Sequence, residues 1–128
     1  MSETTNILLV EDDRHIALAL QIRLCAAGHS VHLAANVAEA QSLLQEQVLD
    51  VAVIDVNLPD GNGIDLMRAS MTQDTQSPII PIIMSASRKP GLREQALEAG
   101  ASAFLEKPFS SLALMDAIAL GGAANHAR

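Results

Sequence analysis

Tryptophan and tyrosine are absent from this 128-residue chain, and phenylalanine occurs only as Phe104 and Phe109. Base stacking on aromatic faces, the usual grip on single-stranded nucleic acid, has almost nothing to work with. Cations are scarce too: eight Lys and Arg stand against fifteen Asp and Glu, a net charge of −7. Contact with a phosphate backbone needs clustered positive charge, so direct nucleic-acid binding is not expected. Cysteine is limited to Cys25, which excludes an internal disulfide. It falls in a helical apolar pattern, where core packing is the expected role rather than a reactive thiol. Apolar residues make up 49% of the chain, but no run approaches the roughly 20 residues of a membrane span. The opening "MSETTN" lacks the basic start and apolar stretch of a secretory signal. These absences leave a cytoplasmic chain, with no membrane contact, large enough to bury one core.

What is present is a regular alternation. Apolar, β-branched runs occur at 6–10, 30–34, 51–55, 81–85 and 102–106. The first, third and fourth are nearly continuous, as parallel strands covered on both faces should be. Helical patterns separate them. Residues 14–27 place Ile16, Leu20, Leu24 and Ala27 on one stripe ended by Gly28. "NVAE" at 36–39 resembles a capping box, Asn36 accepting from the first turn and Glu39 reaching back. Spacing predicts helices over 63–72 and 110–120, and another that starts at Pro90 and ends at Gly100. The expectation is an α/β fold: a five-stranded parallel sheet with helices on both sides and right-handed crossovers. The domain spans 6–120, between a 1–5 tail and a small, polar 121–128 tail expected to fray. The stretch "MTQDTQSP" at 71–78 reads as a surface loop.

The stretch "ILLVEDD" runs a buried strand into three carboxylates. In an open parallel sheet, functional groups gather beyond the carboxyl ends of the strands. The strands there deliver Glu11, Asp12 and Asp13, then Asp55, Ser85 and Lys107. Like charges held together either raise a pKa or recruit a cation. Oxygen ligands favour a hard ion, and a shallow carboxylate site that keeps waters suits Mg²⁺. Asp13 directly precedes a helix and is assigned to its cap; Glu11, Asp12 and Asp55 are assigned to the metal. A carboxylate fixed beside Mg²⁺ can act as a nucleophile toward a phosphoryl group, with Lys107 and Ser85 attending the transferring oxygens. His15, His29, His32 and His126 show no metal-ligand spacing and read as surface or half-buried residues.

Taken in order, "ILLVEDD", "VAVIDVNLPDGNG", "PIIMSAS" and "AGASAFLEKPF" resemble the receiver domain of bacterial two-component response regulators, over about residues 6 to 120. The resemblance implies a flavodoxin-like (βα)5 doubly wound fold, with strand order 2-1-3-4-5. It implies that Asp55 accepts a phosphoryl group from a sensor histidine kinase or a phosphotransfer protein. It implies Mg²⁺ held by Asp12, Asp55 and the Asn57 backbone carbonyl, with Glu11 assisting. It makes Ser85 and Phe104 the switching pair, Lys107 the ion-pair partner of the phosphoryl group, and Lys107–Pro108 a cis peptide. The face formed by residues 86–120 would change its preferred partner, including a second copy of the chain. Ala101, Ser102 and Ala103 stand where many relatives carry acidic residues of a dimer network, which weakens that particular dimer. Ser87 and Asn57 occupy positions that tune phosphoryl lifetime.

Three further readings compete. The chain is a stand-alone receiver or a piece of a longer regulator. A Mg²⁺-dependent phosphohydrolase of the haloacid type would want an Asp at position 57, where this chain has Asn57. A receiver-like scaffold that no longer takes phosphate is disfavoured by the intact Asp55, Ser85 and Lys107.

Overall fold

Four continuous apolar residues in a row need cover on two sides, and Ile7, Leu8, Leu9 and Val10 find it, each wholly buried. The computed structural model describes residues 4–71 and 78–126, with the backbone alone beyond Gly121. The 72–77 stretch read as loop lies outside the described residues.

The elements run β1 (Asn6–Val10), α1 (Arg14–Ala26), β2 (Ser30–Ala34), α2 (Val37–Glu46), β3 (Val51–Asp55), β4 (Asn57–Leu58), β5 (Gly61–Asn62), α3 (Gly63–Met71), β6 (Ile80–Ser85), α4 (Leu92–Glu98), β7 (Ala103–Glu106) and α5 (Ser111–His126). The five long strands pair in parallel in the order β2-β1-β3-β6-β7, which in chain order of those strands is 2-1-3-4-5. The two-residue strands β4 and β5 form a separate antiparallel hairpin.

Side chains alternate across a strand, and the sheet sorts its apolar residues accordingly. Leu8, Val10, Ala52, Ile54, Ile83 and Phe104 face α2, α3 and α4. Ile7, Leu9, Val51, Val53, Ile82 and Met84 face α1 and α5. Among the described residues, no helix is long and apolar enough to cross a membrane.

Several boundaries differ from expectation, each for a local reason. Pro90 does not open α4. Gly91, with a φ of +81°, takes the N-cap, and the helix starts at Leu92. The helix stops where expected: Ala101 N–H bonds Ala96 C=O at 3.0 Å and Gly100 N–H bonds Leu97 C=O at 3.1 Å, a Schellman closure. Helix α5 continues to His126 instead of ending at residue 120. Gly121 is buried against Ile80 and Ser102, where a β-carbon would sit 2.7 Å from Ile80. Cys25 is exposed on α1, not packed in the core.

Helix α2 carries the capping box expected at 36–39 and a second anchor, Asp60, that no local pattern announced. Asn36 accepts from Glu39 N–H at 2.8 Å, and Glu39 reaches back to Ala35 N–H at 2.9 Å. The N–H groups of Val37 and Ala38, otherwise orphaned at a helix start, both donate to the carboxylate of Asp60, at 2.7 and 3.1 Å. The Val37 bond, against an opposing burial effect and aided by Ala38, holds the Asp60 carboxyl below its ordinary value of 3.8. A depressed folded-state pKa contributes stability that is present above the unfolded value and lost as pH falls through the folded one. In thermal melts across pH, the gap between wild type and Asp60→Asn is therefore expected to hold at neutrality and close below pH 3.8.

Candidate functional site

Three carboxyl-end residues extend the face of the sheet that packs on α1 and α5. Glu11 continues the row Ile7–Leu9, Asp55 continues Val51–Val53, and Lys107 continues Ala103–Leu105. Register then sets them level. Val10 pairs with Ile54, so Glu11 and Asp55 emerge side by side. Asp55 pairs with Met84, which pairs with Leu105, two residues before Lys107. Lys107 N–H donates to Ser85 C=O at 2.8 Å, which holds that turn against the end of β6. The Lys107–Pro108 peptide is cis.

The acids do meet. One oxygen each from Glu11, Asp12 and Asp55 lies within 4.8 Å of the others. Glu11 and Asp55 are buried at 3% and 7% exposure, while Asp12 is exposed and leaves the cluster open to solvent. Asp13 stays out of it: its side chain caps α1, accepting from His15 N–H at 3.0 Å and Ile16 N–H at 3.2 Å.

The structure adds a neutralising group inside the cluster. The Lys107 ammonium donates to Asp55 Oδ2 at 2.7 Å and also to Glu11 Oε1. Burial alone would lower the Lys107 pKa, but its hydrogen bonds to Asp55 and Glu11, with the charge of both acids, outweigh that and raise it. Burial raises Glu11, helped by the Asp55 charge and opposed by the bonds from Lys107 and Asp13 N–H. Three carboxylates less one ammonium leave two negative charges, the complement of a divalent cation. The donor set is all oxygen and partly open, which fits a hard ion keeping water in its shell.

The other candidates sit as follows. Asp55 Oδ1 accepts from Asn57 N–H at 3.1 Å, so both Asp55 oxygens have fixed partners. Ser85 is fully buried at the end of β6, and its Oγ accepts from Ser87 N–H at 3.0 Å. That bond leaves the hydroxyl hydrogen free to be donated elsewhere. Phe104 lies opposite Ile83, hence diagonal to Ser85 on the same face. It is already buried, at 6% exposure. The Arg93 guanidinium lies over that ring, 6.0 Å from its centroid.

Two residues that shape the site went unassigned in the sequence. Gly63 opens α3 directly against β3. Its N–H bonds Val56 C=O at 2.7 Å, and a β-carbon there would fall 2.1 Å from the Asp55 carbonyl oxygen. Asp60 pins the hairpin after Asp55 to the start of α2. The glycines of "PDGNG" were a visible signal for the first, whereas a cap bridging 23 residues left none.

Comparison with known proteins agrees with this geometry. A family model described as response regulator receiver domain matches residues 7–119. The transcriptional regulatory protein PhoP of Escherichia coli is 33% identical over 103 residues, covering 80% of this chain and 45% of the relative. The C4-dicarboxylate transport transcriptional regulatory protein DctD of Pseudomonas aeruginosa is 37% identical over 117 residues, 89% of this chain and 24% of the relative. The chain thus spans less than half the length of these curated relatives. Among solved structures, the non-phosphorylated HemR receiver domain from Leptospira biflexa superposes with a TM-score of 0.82 at 30% identity, covering 92% of this chain and 94% of that one. A CheY-like receiver domain protein from Methanospirillum hungatei reaches a TM-score of 0.89 at 23% identity, covering 97% and 98%, and speaks to the fold alone. The chain belongs to the response regulator receiver domain family.

Proposed function

We propose that Asp55 is the phosphoacceptor of this receiver and that a sensor histidine kinase or a phosphotransfer protein supplies the phosphoryl group. The observation that carries the reading is the convergence of Asp55, Glu11, Asp12 and the Lys107 ammonium at one strand edge. In the transfer, an Asp55 carboxylate oxygen attacks phosphorus while the donor's P–N bond breaks. The bonding pair stays on the imidazole nitrogen, which takes up a proton. The product is an acyl phosphate, and the chain acts as a switch rather than a multiple-turnover enzyme.

Glu11, Asp12, Asp55 and the Asn57 backbone carbonyl would hold Mg²⁺, which would offset charge on the phosphoryl oxygens. Lys107 already contacts the acceptor carboxylate and would follow it to the phosphoryl group. The free hydrogen of Ser85 Oγ would serve a phosphoryl oxygen. Asn57 offers Asp55 a backbone N–H and has no carboxylate, so it supplies no acid or base for repeated hydrolysis.

The donor has a surface to rest on. Ile16, Leu20, Ala86, Lys107, Pro108 and Phe109 line an apolar groove of about 370 Å³ beside the rim. Ile16, Leu18 and Ile22 are exposed on α1. The face built by residues 86–120 exposes Leu97, Leu112 and Leu120 and is the output surface, toward an effector or a second copy. PhoP and DctD are named transcriptional regulatory proteins, and the same outcome in a longer cytoplasmic regulator is the form of output we propose.

The test is incubation with a small acyl phosphate, with and without Mg²⁺, read by intact mass. One phosphoryl addition is expected in wild type with Mg²⁺ and none in Asp55→Asn. No addition to wild type under any condition overturns the reading, and catalytic release of phosphate from esters would move the chain to the hydrolases.

A further inference from the structure

The geometry points to Arg93 as a latch that holds the Phe104 ring inward and so sets the resting balance of the switch. For its trigger this rests on the phosphoacceptor reading above; for the ring's position it does not.

Phe104 has no hydroxyl, so no hydrogen bond can fix its ring in either position. What covers it is the guanidinium of Arg93, reaching down from the first turns of α4. A planar cation over an aromatic face is held by the ring's quadrupole and by stacking. The helix that carries Arg93 is held lightly at its start: α4 has seven residues, and its N-cap Gly91 makes no side-chain hydrogen bond. Leu92 and Ala96 anchor it from below. Beside the ring lies an open cleft of about 330 Å³, bounded by residues 87–94 and by Glu106. The ring thus has an inward seat, diagonal to Ser85 and under Arg93, and an adjoining space able to receive it.

Two coupled steps follow. When Ser85 Oγ turns toward a phosphoryl group, the packing next to Phe104 changes. Arg93 resists any ring movement that uncovers its cation, and ring and α4 therefore respond together. Arg93 acts through Phe104 and touches neither Asp55 nor the transferring group, so it is a positioning residue.

The chain has only two phenylalanines, which makes a direct test simple. With 4-fluorophenylalanine incorporated, ¹⁹F NMR should show two resonances, assigned by a Phe109→Leu variant. Without any phosphodonor, Arg93→Met is expected to shift the Phe104 resonance, corresponding to a roughly two- to fivefold change in the ratio of ring positions. Arg93→Lys should recover part of that shift, because it restores the cation without the planar stack. All three forms should gain phosphoryl mass alike. A Phe104 resonance identical in wild type and Arg93→Met, or Lys behaving as Met does, overturns the latch. A shifted resonance in a chain that never gains phosphoryl mass keeps the latch and removes the phosphoacceptor reading instead.

Discussion

Gly63→Ala is expected to lower the melting temperature by about 10 °C or more and to slow phosphorylation of the molecules that remain folded. The added β-carbon would lie 2.1 Å from the Asp55 carbonyl oxygen, 2.9 Å from its carbonyl carbon and 2.7 Å from Ile54 Cγ2. Two of these are backbone atoms of a central strand whose residues are all buried. Nothing there can yield without separating α3 from the sheet. Overpacking a well-filled core costs roughly 1–3 kcal/mol even when side chains can move, and here they cannot, so about 3 kcal/mol is the starting figure. For a chain of this length that corresponds to roughly 10 °C. Relief by tilting α3 would displace Asp55, and a misplacement near 1 Å at a reacting group can cost about a hundredfold in rate.

Gly61→Ala is the matched control. Its β-carbon would meet Val37 Cγ2 at 3.0 Å, the tip of a half-buried side chain on the edge of α2 that can give way. A small loss of stability with unchanged phosphorylation is expected. Differential scanning fluorimetry with a phosphorylation time course separates the two variants. Equal melting temperatures for Gly63→Ala and wild type would show that α3 does not bear on Asp55 in this way.

The central strands were legible because a strand buried on both faces must be apolar along its length, and 7–10 and 51–54 are. Helix stops at Gly28 and Gly100 were legible through their punctuation. Other features were not local. Asp60 and Val37 are 23 residues apart, and a two-residue hairpin leaves no periodicity to read. Gly121 and Gly122 suggested fraying of α5, but the face of the helix at Gly121 is filled by Ile80, so tertiary packing overrides a poor propensity. At the site, the strand ends named Glu11, Asp12, Asp55 and Lys107, which do converge, but not their pairings. The sequence set Lys107 at the same rim as the acids and left the cluster's charge to an ion; the fold places the Lys107 ammonium between two of the acids. That position follows from the register of β3, β6 and β7, which no stretch of sequence contains by itself. The Phe104 ring lies buried with the Arg93 guanidinium over it, a contact between β7 and α4 that spacing along the chain does not announce.

Lys107→Met should expose whether ammonium and Mg²⁺ compete for the charge of the cluster. The Lys107 side chain is 14% exposed, and its partners Glu11 and Asp55 are 1% and 9% exposed. Removing one partner of a buried ion pair costs roughly 3–5 kcal/mol because the remaining charges are left without compensation. The solvent opening at Asp12 places the loss at the lower end. In wild type the sign works the other way at high pH. Lys107 is raised above its ordinary 10.5, so its contribution is complete below that value and is lost as pH rises through the folded one. A cation removed is also a competitor removed. With no ammonium among the three carboxylates, Mg²⁺ is expected to bind the variant more tightly and to stabilise it by mass action more than it stabilises wild type. Melts against a Mg²⁺ series should therefore show a lower starting temperature and a steeper rise in Lys107→Met. Phosphorylation should nevertheless fall sharply, because the ammonium that would follow the charge to the phosphoryl oxygens is gone. A variant with a wild-type melting temperature and a shallower response to Mg²⁺ would mean that the ammonium and the metal do not share this cluster.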